Sequence, residues 1–245
     1  MIAQTKSYII NINKQLYLMK LKQILFLPVF LFMSSCTEDA VYSCDPNIDS
    51  WVNENIAEIQ CMTRSQWLEL DENLNMAAYR AFTPKQRILF WQERFDEIKI
   101  LPWSEKEYKH IIAAEEFINN HLDYFYSDRL SDIQYDELNL FFYKWSKYAY
   151  EELLWDKKIV NAILSSGGKM INVKGDILTS QNMETKSIAV LTYSAESTCN
   201  CNPDYFLACA PHLDSECNTK KSCKLKTGSC GFFFMLDCNG LCDPI

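Results

Sequence analysis

Eight cysteines crowd into the last stretch of the chain, at Cys199, Cys201, Cys209, Cys217, Cys223, Cys230, Cys238 and Cys242. Two chemistries are open to thiols at this density: oxidation to disulfides, or ligation of zinc as thiolates. The spacing is C-x-C-x7-C-x7-C-x5-C-x6-C-x7-C-x3-C. It lacks the C-x2-C knuckles that zinc sites favour, so it reads as a disulfide scaffold. Eight cysteines allow about a hundred pairings, and sequence does not choose among them. Three more, Cys36, Cys44 and Cys61, lie upstream and bring the total to 11.

Just ahead of Phe232, Phe233 and Phe234 stand four bases, Lys220, Lys221, Lys224 and Lys226. A cationic segment beside an apolar one is how small peptides engage anionic membranes, which makes these seven residues candidate membrane contacts. In the opposing reading, Phe232 to Leu236 is a buried strand that the lysines solvate. The near-neutral balance of the tail, four bases against five acids, favours burial.

No catalytic constellation accompanies the thiols. The three histidines (His110, His121 and His212) form no HExxH pair, and neither a GxSxG turn nor a glycine-rich phosphate loop is present. Glu115-Glu116 and His121 are five and six residues apart, a spacing that does not share a helix face; a solvated acidic face is expected there. The chain therefore reads as a non-enzyme without cofactor or metal. Its 32 acids, all beyond residue 35, outnumber its 24 bases. Such a surface repels phosphates, so nucleic acid is not an expected partner.

The elements that must present the tail begin with an address. From Met19 the chain reads Met-Lys-Leu-Lys-Gln, an apolar run from Ile24 to Met33, then Ser34-Ser35-Cys36. A basic start, an apolar core too short to span a bilayer and small residues before a cysteine make residues 1–35 a lipoprotein signal. Met19 is the expected true start and Cys36 the expected lipidated residue. Thr37-Glu38-Asp39 resembles the acidic tag that sends lipoproteins to the surface of some Gram-negative bacteria. An outer-membrane or cell-surface location follows, with partial release as a variant. With Cys36 occupied by lipid, ten cysteines remain. Eight pair in the tail, leaving Cys44 to pair with Cys61.

Residues 36–165 read as a helical domain, since 46–165 contain no glycine and show a period near 3.6. Thr83-Pro84-Lys85-Gln86 and Ser104-Glu105-Lys106-Glu107 are capping boxes. Ile88, Trp91, Phe95 and Ile98 follow the first on one face; Ile111, Ala114, Ile118, Leu122 and Phe125 follow the second. A third start near Ser131 leads into Leu138, Phe141, Phe142, Trp145 and Ala149. Earlier helices are expected over Asn47–Cys61 and Trp67–Phe82. The tryptophans fit a core better than a ligand groove. Ser165-Ser166-Gly167-Gly168 ends the pattern as a helix C-cap. Residues 166–198 form a linker or a short hairpin of Met170–Val173 with Ile188–Tyr193. The fold class is mainly α, a small bundle followed by a disulfide-rich module at 199–245.

Together, the run from Arg80 to Arg87 (Arg-Ala-Phe-Thr-Pro-Lys-Gln-Arg), Trp91 and the eight-cysteine tail resemble the bacteriocin fulvocin C-related proteins. The tail, about a fifth of the chain, carries the specific part of this resemblance. It implies an exported, bacteriocin-like lipoprotein with the tail as effector, held to its own membrane by lipid and directed at a target-cell membrane or surface receptor. An immunity partner is not identified. The other reading is a non-toxic cell-surface lipoprotein acting as a binding or adhesion module.

Overall fold

The computed structural model describes residues 41–178, 200–202, 215–218, 225, 227–238 and 240–244. All fall in one compact unit, Ala40–Ile245. Outside the described residues lie Cys36 and the signal segment, Cys199, Cys209 and Cys223, the lysines at 220, 221, 224 and 226, and Ile188–Tyr193.

The protein is mainly α, with eight α-helices among the described residues. Each long helix starts where a side chain closes the free amides of its first turn. Thr83 with Gln86 opens α5 (Pro84–Lys99), Ser104 with Glu107 opens α6 (Glu105–Asn120), and Ser131 with Gln134 opens α7 (Asp132–Glu151). Asp45 caps α1 (Pro46–Glu54), and Asp156 caps α8 (Lys157–Leu164).

Two expected helices are each split. The Asn47–Cys61 segment breaks at Asn55, whose side-chain amide donates to the Trp51 carbonyl at 2.7 Å, beside its own backbone N–H at 3.1 Å. A short α2 (Ile56–Ile59) follows. The Trp67–Phe82 segment is α3 (Arg64–Leu68), begun earlier by a Thr63–Gln66 capping box, and α4 (Glu72–Ala81). The Asp71 carbonyl collects the amides of Leu74 and Asn75 to restart the chain.

Helix α5 is the central element, in contact with α6, the 3-10 segment Leu122–Tyr126 and β1 (Lys169–Met170). Helix α4 packs against α1, α2 and α3, while α7 lies on α6. The hairpin closes sooner than expected: β1 pairs with β2 (Ile177–Leu178), antiparallel. Its turn is set by Asn172, whose side-chain oxygen accepts from the amides of Lys174 at 3.0 Å and Asp176 at 3.3 Å.

Gly167 is not a left-handed cap. It lies where a Cβ would come within 2.5 Å of the Trp67 ring, so close packing demands its lack of a side chain. The tail contributes a small antiparallel sheet, β3 (Asn200–Cys201), β5 (Gly240–Pro244) and β4 (Ser215–Asn218), with β5 in the middle. The Cys201–Cys217 disulfide joins the outer strands. It passes over Gly240, where a Cβ would lie 2.6 Å from the Cys217 sulfur. Any larger residue there would displace the bridge.

Candidate functional site: the cleft where the tail meets the helices

The tail's phenylalanines settle how the two parts are joined. A second disulfide, Cys230–Cys238, closes a loop in which Cys230 pairs with Leu236. The loop drives Phe232, Phe233 and Phe234 into the helices, at 3%, 0% and 7% exposure. Phe232 stacks on Phe142 with centroids 3.9 Å apart. Phe233 sits 5.0 Å from both Trp91 and Phe142. Phe234 meets Tyr79 at 4.9 Å and Trp91 at 5.2 Å, edge to face.

One expectation changes with this. The phenylalanines are core and are not placed to contact a membrane. Among the described residues of the tail, the segment 230–238 packs as part of the helical core. The physical reason is supply of apolar surface: α4, α5 and α7 present an aromatic trough, and three adjacent rings fill it. The backbone is bent to do so, with φ of +51° at Phe233 and +57° at Phe234. For bulky residues that conformation is strained, on the order of 1–2 kcal/mol each.

Polar contacts hold the same joint. The buried Arg80 donates from Nε to the Ser229 hydroxyl at 2.6 Å and from Nη1 to the Tyr42 carbonyl at 2.7 Å. It thus ties the start of the described chain to the tail. The expected Cys44–Cys61 pair does not form. Cys61 is free and exposed in the turn after α2, whereas Cys44, half-buried ahead of α1, is disulfide-bonded elsewhere.

Around this joint lie buried arginines that the sequence reading missed. Arg94, fully buried, donates to the carbonyls of Ala162 at 2.6 Å and Ser166 at 3.3 Å, and Arg64 donates to the Gly167 carbonyl at 2.8 Å. Together they close the C-terminal end of α8, where the helix dipole favours cations. One carboxylate, Glu97, pairs with Arg64. Burial and the neighbouring Arg64 push the Arg94 guanidinium below the usual arginine range. A signal for this was present: Arg87 and Arg94 fall in phase with Trp91 and Ile98, on the stripe that faces inward.

Between the joint and the 3-10 segment lies a narrow cleft whose enclosed part has room for about one water molecule. Its walls include Tyr79, Arg87, Tyr124, Asp128, Arg129 and Phe234. Arg87 is 9% exposed and spends its Nε on the Phe82 carbonyl at 3.2 Å. Tyr79 accepts from the Trp91 indole at 3.0 Å. Burial raises its phenol well above the ordinary tyrosine range. Tyr124 donates to Glu137 at 2.8 Å, and the same carboxylate faces His121 at 3.2 Å.

The acidic run near His121 is divided among other partners. Glu115 pairs with Lys99 at 2.7 Å, and His121 is taken by Glu137.

Among the described residues, His110 is the other histidine held by the fold. It stacks on Trp145 at 4.2 Å and donates from Nε2 to that residue's carbonyl at 3.0 Å, while the Trp145 indole donates to the His110 carbonyl. Burial pushes its pKa down to about 4. The folded protein then binds this proton only near pH 4, whereas an unfolded histidine binds it near 6.5. Stability should therefore fall as pH drops from about 6.5 to 4, by roughly 2 kcal/mol after allowing for solvent screening. Thermal melts of wild type and His110→Asn across that window check it: the variant should lose part of the acid sensitivity.

Set beside known proteins, the chain matches no family model, no characterised protein and no solved structure.

Proposed function

We propose that the chain is an exported, lipid-anchored binding protein of the bacterial cell surface, whose cysteine-rich segment is one wall of its binding unit. The observation that carries this reading is the burial of Phe232, Phe233 and Phe234 in the helical core. A diffusible effector would have to withdraw three rings from that core and expose them. Such a step opposes the hydrophobic effect, at about 1.5–3 kcal/mol for each ring. The Arg80 clamp on Ser229 opposes it as well.

The anchor rests on the Ser34-Ser35-Cys36 sequence and the apolar run before it. Kinship with the fulvocin C-related bacteriocins belongs to the same proposal and rests on the cysteine spacing and the Arg80–Trp91 segment. In this reading the shared feature is a cysteine framework retained as architecture.

Fractionation of the native host tests both parts. Mass spectrometry should find the chain in membranes with lipid on Cys36 and the tail still attached. Cys36→Ser should move nearly all of it to soluble fractions. A fragment spanning 199–245 in the medium that inhibits neighbouring cells would replace this reading with a released bacteriocin. Unchanged membrane partition of Cys36→Ser would remove the anchor.

A further inference from the structure

We propose that the solvent face of α7 is a docking surface for a second copy of this chain, laid antiparallel across a two-fold axis at Leu140. This goes beyond the surface-anchored reading and does not depend on it.

Helix α7 carries two apolar stripes. Leu138, Phe142, Trp145 and Ala149 are buried against the bundle. On the opposite side Ile133, Leu140 and Tyr143 stand at i, i+7 and i+10, and they are 80%, 55% and 68% exposed. Single apolar residues on a surface are ordinary, but a row of three along one helix face calls for a partner. The other long helices differ. Among the described residues, α5 exposes Leu89 and α6 exposes Tyr108 as their large apolar side chains.

Charge says what covers the row. Beside it, the first half of the helix presents Asp132 and Asp136, and the second half presents Lys144 and Lys147, all exposed. The helix dipole accounts for Asp132 in the first turn, and Lys147 pairs with Glu151 at 4.0 Å. Asp136 and Lys144 lie beyond the reach of the dipole, and neither makes an ion pair among the described residues.

Each of these two stands four residues from Leu140, on either side, and so about 6 Å along the axis. A two-fold axis at Leu140 therefore sets Asp136 of each copy against Lys144 of the other. The two Leu140 side chains meet at the centre, and Ile133 faces the methylene stem of Lys147 of the second copy. A parallel copy would set acid against acid and base against base, so the order of charge selects the antiparallel one. The surface is then self-complementary, as a closed two-fold dimer requires. One helix pair buries less than a standard interface of about 1,600 Å², so the dimer should be reversible, with a Kd on the order of 10 µM.

Sedimentation equilibrium of the full-length protein in density-matched detergent decides it, with the exposed thiol of Cys61 alkylated so that it cannot link copies. Wild type should show a reversible monomer–dimer equilibrium. Leu140→Lys should weaken it about a hundredfold and Leu140→Ala about tenfold. Both substitutions place good helix formers at an exposed position, so circular dichroism should not change. Asp136→Lys and Lys144→Glu should each weaken self-association about tenfold, because two attractions become two repulsions. The double variant carrying both changes should recover the wild-type affinity, and an equimolar mixture of the two single variants should form mixed dimers.

A wild type that stays monomeric at about 100 µM would overturn the proposal and leave the face to a different protein or to lipid. A dimer that survives both Leu140 variants unchanged would overturn it too, since the copies would then meet elsewhere. So would a double variant as weak as the single ones, which would exclude the antiparallel arrangement. None of those results touches the fractionation test, which decides the surface-anchored reading by itself.

Discussion

Phe233→Ala should lower the unfolding free energy of the whole protein by about 3–5 kcal/mol, the range for truncating a buried aromatic. The ring is fully buried between Trp91, Phe95 and Phe142, which belong to α5 and α7. Its loss therefore leaves a cavity in the helical core, although the residue comes from the tail. Chemical denaturation followed by far-ultraviolet circular dichroism should show one transition at lower denaturant. A helical signal that melts as in wild type would mean that the tail folds by itself, against the fold described above. Phe233→Gly should be milder than Phe233→Ala by roughly 0.5–1 kcal/mol, because glycine accepts the φ of +51° without steric strain. The ordering of the two variants reads out the strain separately from the cavity.

Arg94→Ala should also be damaging, by about 2–5 kcal/mol, because two buried carbonyls lose their donor at about 1–3 kcal/mol each. The guanidinium supplies two hydrogen bonds that no water can replace without a void, to Ala162 and Ser166. Arg94→Lys should recover little, since a single ammonium does not span both carbonyls as the planar fork does. Urea denaturation with the slope held constant measures the difference. A loss under about 1 kcal/mol for Arg94→Ala would mean that the carbonyls at the end of α8 do not need a cation.

Much of this scaffold was legible in the sequence because helix starts are local events. Thr83, Ser104 and Ser131 each carry a glutamine or glutamate three residues on, and each heads a helix. Helix interruptions were less legible. Asn55 is an ordinary residue until its side chain takes a carbonyl of its own helix, a choice made in competition with neighbours. The pairing of β1 with β2 was not legible because a strand of two residues leaves almost no pattern, whereas Asn172 fixes the turn through its side chain.

The site was harder to read, for a different reason. Its parts are remote in sequence: Tyr79 and Phe233 meet across 154 residues. In the sequence Arg87 has no legible role, because an arginine on an apolar stripe gains meaning only when the facing surface is known. The Arg80–Trp91 segment proves to be the seat of the tail. Arg80 clamps it, Phe82 and Trp91 are core, and Arg87 lines the cleft beside it.

The Phe232–Phe234 wedge also sets a timetable. A chain made from its amino terminus presents the aromatic trough of α4, α5 and α7 long before the rings that fill it exist. The helices can form in turn, but the centre of the core stays open until Phe232–Phe234 have emerged. Contacts of such long sequence separation make folding slow, because loop closure precedes their reward. Under the export proposed above, this delay would keep the chain from locking into its final shape halfway through a membrane. The loop that carries the wedge is closed by a disulfide between residues only eight apart. Oxidation can therefore shape the wedge locally, and its docking then closes the core in a single late step.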